Sequence, residues 1–131
     1  MKPTLVAGIA IAVGAVVGAL GREALDVVMM SVAWPGIDGV FVANIAGAGA
    51  LGFLHNGLPA HTPHWLKLGV TTGLLGTFTT LSAISGFIAF TPSEFVSELW
   101  VYVAGSVVGG IAAAWAGLRA GDAVNDSRRA S

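Results

Sequence analysis

Thr72-Gly73-Leu74-Leu75-Gly76-Thr77-Phe78-Thr79-Thr80-Leu81-Ser82 lies in a run that carries no charged residue between Lys67 and Glu94. The run is long enough to cross a bilayer, yet its middle is built from glycine and hydroxyl side chains that support a helix poorly. At bilayer depth an unpaired N–H or C=O costs several kcal/mol. Irregular backbone therefore survives only where protein buries it or where it lines a cavity. Two readings are open: a broken helix bordering an ion path, or a packing surface on which Gly, Ser and Thr let helices approach closely.

Composition places this stretch in a membrane. The 131 residues are 55% hydrophobic and 10% charged, with a mean hydropathy of +0.82, far more apolar than a soluble domain. Cutting the chain at its charges predicts an all-α protein with one membrane domain over 1–131. Its four spans are Pro3 to Gly21, Gly39 to Leu58, Leu68 to Thr91 and Leu99 to Leu118. Turn and polar residues separate them at Trp34 to Asp38, Asn56 to Pro63 and Thr91 to Glu94, and residues 119–131 read as a polar tail. The start, with Lys2 before an apolar run from Leu5 to Val17, imitates a secretory signal. That run continues to Leu20, so it reads as the first span. Trp34, Trp65, Trp100 and Trp115 fall near span ends, as interface anchors do.

Charge sets an orientation. With four spans, the N-terminus, second loop and tail share one side and collect Lys2, Lys67, Arg119, Arg128 and Arg129, against Arg22 alone on the other. Basic residues near span ends are retained on the cytoplasmic side, so both termini are expected in the cytoplasm with one fixed orientation. Gly14 with Gly18, Gly69 with Gly73, and Gly105 with Gly109 have the spacing of close helix contacts. Four short spans offer little interior for both a path and its walls, which predicts an oligomer, a dimer being the simplest.

The polar groups within the spans limit the chemistry. Cysteine is absent, which removes thiolate nucleophiles and Cys-based metal sites. Asn44 needs partners for its amide in an apolar setting and suits an anion. Tyr102 and Ser106 lie four apart on one helix face, where hydroxyls can replace the water around a small ion or simply bond their own backbone. Arg22 reads as a structural residue at the foot of span one. His55, His61 and His64 match no metal spacing and read as loop residues. Asn125-Asp126-Ser127 fits a glycosylation triplet but falls on the expected cytoplasmic side. A proton-coupled efflux transporter would need a carboxylate mid-span, and none lies within these spans. No nucleophile, base and orienting group can be assembled into an enzyme.

Taken in order, three segments resemble a known family, the small dual-topology fluoride channels called Fluc, over nearly the whole chain. The segments are Gly14-Ala15-Val16-Val17-Gly18-Ala19-Leu20-Gly21-Arg22, Gly39-Val40-Phe41-Val42-Ala43-Asn44-Ile45-Ala46-Gly47 and Gly73 to Ser82. The resemblance implies an antiparallel dimer with two pores, a break in the third helix and a central Na+ held by backbone carbonyls, here those of Gly76 and Thr79. It implies that Asn44, Phe78, Thr80, Leu81, Ser82, Ile84, Tyr102 and Ser106 hold the pore positions. It further implies passive fluoride export across a prokaryotic plasma membrane. This chain departs from the pattern where the family places two phenylalanines after its paired threonines, because Leu81 and Ile84 stand there instead. A ring edge carries partial positive charge and can face an anion; an aliphatic side chain cannot. Phe87 stands where the family often has Glu, Ala83 replaces a usual Thr, and Gly110 falls where another hydroxyl is common. An antiparallel homodimer also requires balanced Lys and Arg. The five-to-one bias and the lost rings point to half of a heterodimer, with a homologous partner of opposite orientation. The alternative is a non-conducting assembly or regulatory subunit.

Overall fold

The computed structural model describes residues 2–32 and 38–130, and all of its secondary structure is helical. Helix α1 covers Pro3–Val32 and α2 covers Gly39–Gly57. A third path starts as α3 (His64–Leu68), widens into a π-helical stretch (Gly69–Leu75) and ends as α4 (Gly76–Phe78). Helix α5 (Ser82–Phe90), a 3-10 turn (Ser93–Phe95) and α6 (Val96–Ala130) complete the chain. Three stretches are long and apolar enough on their own to cross a membrane: Pro3–Val32, His64–Phe90 and Ser93–Ala130. The fourth long helix, α2, includes Asn44, His55 and Asn56 and is the most enclosed, burying Gly39, Val40, Ala43, Gly47, Gly52 and Gly57.

Two glycine seams hold the helices together. Along α1, a Cβ at Gly14 would overlap the Gly69 carbonyl oxygen and one at Gly18 the Leu74 carbonyl oxygen, while Gly73 meets the backbone of Ile11 from the other side. The first two small-residue pairs of the sequence therefore face each other. Along α2 and α6, Cβ atoms at Gly52 and Gly117 would strike the carbonyls of Ala114 and Gly49. Backbones this close replace side-chain interdigitation with continuous van der Waals contact, which drives association where lipid removes the hydrophobic term. Helix α5 touches α6 only lightly, and Leu81 and Phe90 are 77% and 87% exposed.

Two helices run past the expected span ends. Helix α1 continues from Gly21 to Val32, and α6 continues past Leu118, so residues 119–130 are helical. Charge ends an apolar run but not a helix, and Arg and Glu are good helix formers. Asn56 Nδ2 donates to Asp122 Oδ1 at 2.9 Å and Arg128 Nη1 to the Gly57 carbonyl at 2.7 Å, tying the extension of α6 to the end of α2. Trp65, Trp100 and Trp115 are exposed, and Arg119 stands 5.2 Å over the Trp115 ring. The expected break from Trp34 to Ile37, and the anchoring role of Trp34, lie outside the described residues.

Candidate functional site

The helical path from His64 loosens before it stops. The Thr71 hydroxyl bonds back to the Lys67 carbonyl at 2.8 Å, a competitor for the helix ladder, and the backbone beyond it widens into the π-helical stretch. Thr77 Oγ1 lies 2.9 Å from the Ala15 carbonyl and 2.8 Å from that of Gly73, stitching the path to α1. Thr79 then turns extended, with φ −80° and ψ 151°, and α5 begins at Ser82.

Side chains from two other helices take over the backbone groups freed there. Thr80 N–H donates to Asn44 Oδ1 at 2.7 Å, and Asn44 Nδ2 donates back to the Thr80 carbonyl at 3.1 Å. Arg22 Nη1 donates to the Thr77 carbonyl at 3.1 Å while its Nη2 pairs with Glu23 at 3.2 Å. Arg22 thus reaches the interruption from within an uninterrupted α1. The Thr80 hydroxyl accepts the Ala83 N–H at 3.3 Å and lies 3.0 Å from Ser82 Oγ. Within a continuous helix the Gly76 and Thr79 carbonyls would have received the N–H groups of Thr80 and Ala83. Both donors are instead drawn to side chains.

An open cavity of about 390 Å³ lies beside this segment, between α2, α5 and α6. Asn44, Thr79, Thr80, Leu81, Ile84 and Ser106 all border it, so the fold brings together residues 62 positions apart in the chain. Ser106 is 5% exposed and its Oγ has no hydrogen-bond partner among the described residues. A buried hydroxyl in that state costs about 1–3 kcal/mol unless something else accepts its proton. No charged side chain lines the cavity.

Three expected site residues stand elsewhere. The Phe78 ring lies between Gly21 of α1 and Gly47 of α2. Ser82 is exposed at the start of α5. Tyr102 borders a second cavity, with Phe41, Ser97, Glu98, Val101 and Gly105, and its hydroxyl donates to Asp38 Oδ1 at 2.8 Å. Asp38 escaped the sequence reading. An Asp directly before an apolar helical run is an N-cap signature, and Asp38 does cap α2 by accepting Phe41 N–H at 2.8 Å. Its contact with Tyr102, 64 residues away, has no local signal.

Similarity to known proteins agrees with this geometry. Residues 9–118 match the family described as CrcB-like protein, Camphor Resistance (CrcB). The "Fluoride-specific ion channel FluC 2" of Halalkalibacterium halodurans is 33% identical over 112 residues, covering 85% of this chain and 82% of that protein. Its namesake in Staphylococcus haemolyticus is 34% identical over 113 residues, 83% and 91% of the two chains. The "Fluoride-specific ion channel FluC" of Bordetella petrii is 33% identical over 119 residues, 88% and 91%. This membrane chain, with its interrupted third path and the cavity beside it, belongs to the CrcB-like family.

Proposed function

We propose that the chain is a subunit of a fluoride-selective channel that lets the anion leave the cell passively, down its gradient. The observation that carries the reading is the Ser106 hydroxyl, buried and without a partner, in one cavity with the Asn44 amide and the Thr80 hydroxyl. Fluoride is small and tightly hydrated, so its path must replace water with donors while binding weakly enough to release. Asn44 keeps one N–H beyond the bond it gives Thr80, and Thr80 and Ser106 add hydroxyls to the same cavity. Membrane location follows from the apolar helices. Four spans with cytoplasmic termini follow from counting α2 as a crossing and from the Lys and Arg bias.

The working unit on this reading is an antiparallel dimer with a homologous subunit inserted the other way. Leu81 is 77% exposed beside the cavity, and α5 presents Ile88 and Phe90 outward, apolar surface that a second subunit would cover. A partner would also supply the aromatic edges that Leu81 and Ile84 lack. The Na+ that the family implies would be held by the carbonyls of Gly76 and Thr79, whose helical N–H partners are drawn to side chains. Once bound there it would supply positive potential near the path and a link between subunits. Replacing Na+ by a bulky organic cation should then slow efflux and lower the dimer's thermal stability.

Leu81 and Ile84 in the cavity wall equally suit a non-conducting subunit. Liposomes loaded with fluoride and followed with a fluoride electrode separate the readings. Silence alone and release with an oppositely biased homologue supports the heterodimer, and release by this chain alone refutes it. Silence in both arms leaves the non-conducting subunit.

A further inference from the structure

We infer that Asp38 withdraws Tyr102 from the anion path and acts as a brake at one mouth of the bundle, an inference that rests on the proposed channel function. Tyr102 stands one helical turn before Ser106, where a phenol could donate to a passing anion. A phenol has a single proton, and here it is donated to Asp38 Oδ1 at 2.8 Å. What Tyr102 then offers is lone pairs, which repel an anion.

The arrangement is held from several sides. The same Asp38 oxygen accepts Phe41 N–H at 2.8 Å as the cap of α2, so the carboxylate is fixed by the helix it starts. The Tyr102 ring is tilted against Phe41 at 5.6 Å and meets Phe87 edge-on at 5.7 Å. Asp26 of α1 packs directly on Gly39, adding a second carboxylate at this end. Asp38 is therefore a positioning residue for Tyr102 and, through its charge, a determinant of anion entry.

A double-mutant cycle in the reconstituted complex tests it by initial fluoride efflux. Asn caps helices as well as Asp, so Asp38→Asn removes the charge while keeping α2 capped and keeping an amide oxygen to accept the Tyr102 proton. Asp38→Ser, also a good cap, removes the charge and, with its shorter side chain, the acceptor as well. Removing one unit charge should speed efflux about fivefold in Asp38→Asn, and Asp38→Ser, which also frees the phenol proton, should exceed it. Tyr102→Phe should cancel the excess of Asp38→Ser over Asp38→Asn, which is the share owed to the freed phenol proton. A purely structural role for Asp38 would not produce that dependence. Unchanged or slower efflux in the folded Asp38 variants, with the parent conducting, overturns the inference. An excess of Asp38→Ser over Asp38→Asn that survives Tyr102→Phe also overturns it. Conduction by Asp38→Asn where the parent is silent supports it. Silence throughout refutes the channel reading and this inference with it.

Discussion

The path from His64 to Phe90 and helix α6 carry glycine at similar density, with Gly69, Gly73, Gly76 and Gly86 in the one and Gly105, Gly109, Gly110, Gly117 and Gly121 in the other. Yet the first is interrupted at Thr79 and the second runs unbroken for 35 residues. Glycine costs a helix about 1 kcal/mol relative to alanine, a term that close packing on α2 outweighs along α6. The difference lies in where the backbone groups find partners. At the interruption Asn44 serves both backbone groups of Thr80, and Arg22 serves the carbonyl of Thr77. Among the described residues nothing comparable reaches the backbone in the middle of α6, so its groups stay on the helical ladder. A membrane helix opens where other helices bring donors and acceptors to it, and glycine alone does not open it.

Breaking that contrast at its strongest point means removing the clamp. Asn44→Leu leaves the N–H and C=O of Thr80 without partners in an apolar setting, and should cost about 3–5 kcal/mol and abolish fluoride efflux. Thermal unfolding in detergent and electrode traces check both, and an intact, active variant would show that the interruption holds itself open. On the unbroken helix, Gly117→Val drives a side chain into the Gly49 carbonyl and should destabilise by about 3 kcal/mol. Gly8→Val, where a Cβ meets nothing within 4 Å, should stay within about 0.5 kcal/mol. Equal effects at the two sites would undo the seam argument.

Arg22→Met uncovers one carbonyl rather than two groups, for an expected loss of about 1–3 kcal/mol. Arg22→Lys should recover part of it, because a single donor is enough for one oxygen. The smallest stability effect is expected at Ser106. Ser106→Ala deletes a hydroxyl that has no protein partner, so the melting temperature should hold or rise slightly while efflux falls. A fall in both would mean that Ser106 has a structural partner in the assembled state.

Much of this was legible in the chain. The helical class, the membrane setting and the seam along α1 follow from composition and spacing, and Gly14, Gly18, Gly69 and Gly73 do meet. Gly105 and Gly109, by contrast, meet side chains of α2, and the close backbone contact falls at Gly52 and Gly117. One cavity gathers Asn44, Thr80, Leu81, Ile84 and Ser106, five of the positions that the family resemblance singles out. What escaped was set by contacts between distant positions. Charges at Arg22 and Arg119 resemble span ends, since hydropathy sees the end of an apolar run and cannot see that the helix goes on. Tyr102 and Ser106 share a helix face, but only the packed structure puts Asp38 within reach of one and leaves the other unpartnered. Phe78 lies in the right motif, and its ring faces a neighbouring helix pair because Gly21 and Gly47 leave room there.

Because α6 is unbroken, it is also a lever. Its 35 residues make a rod about 52 Å long, roughly 20 Å more than the hydrocarbon layer it would cross. Arg128 hooks the far end to the last turn of α2. A fluorophore attached directly behind Ala130 would turn with the bundle instead of tumbling on a tether, and its polarised emission would read the inclination of the whole protein in an oriented bilayer.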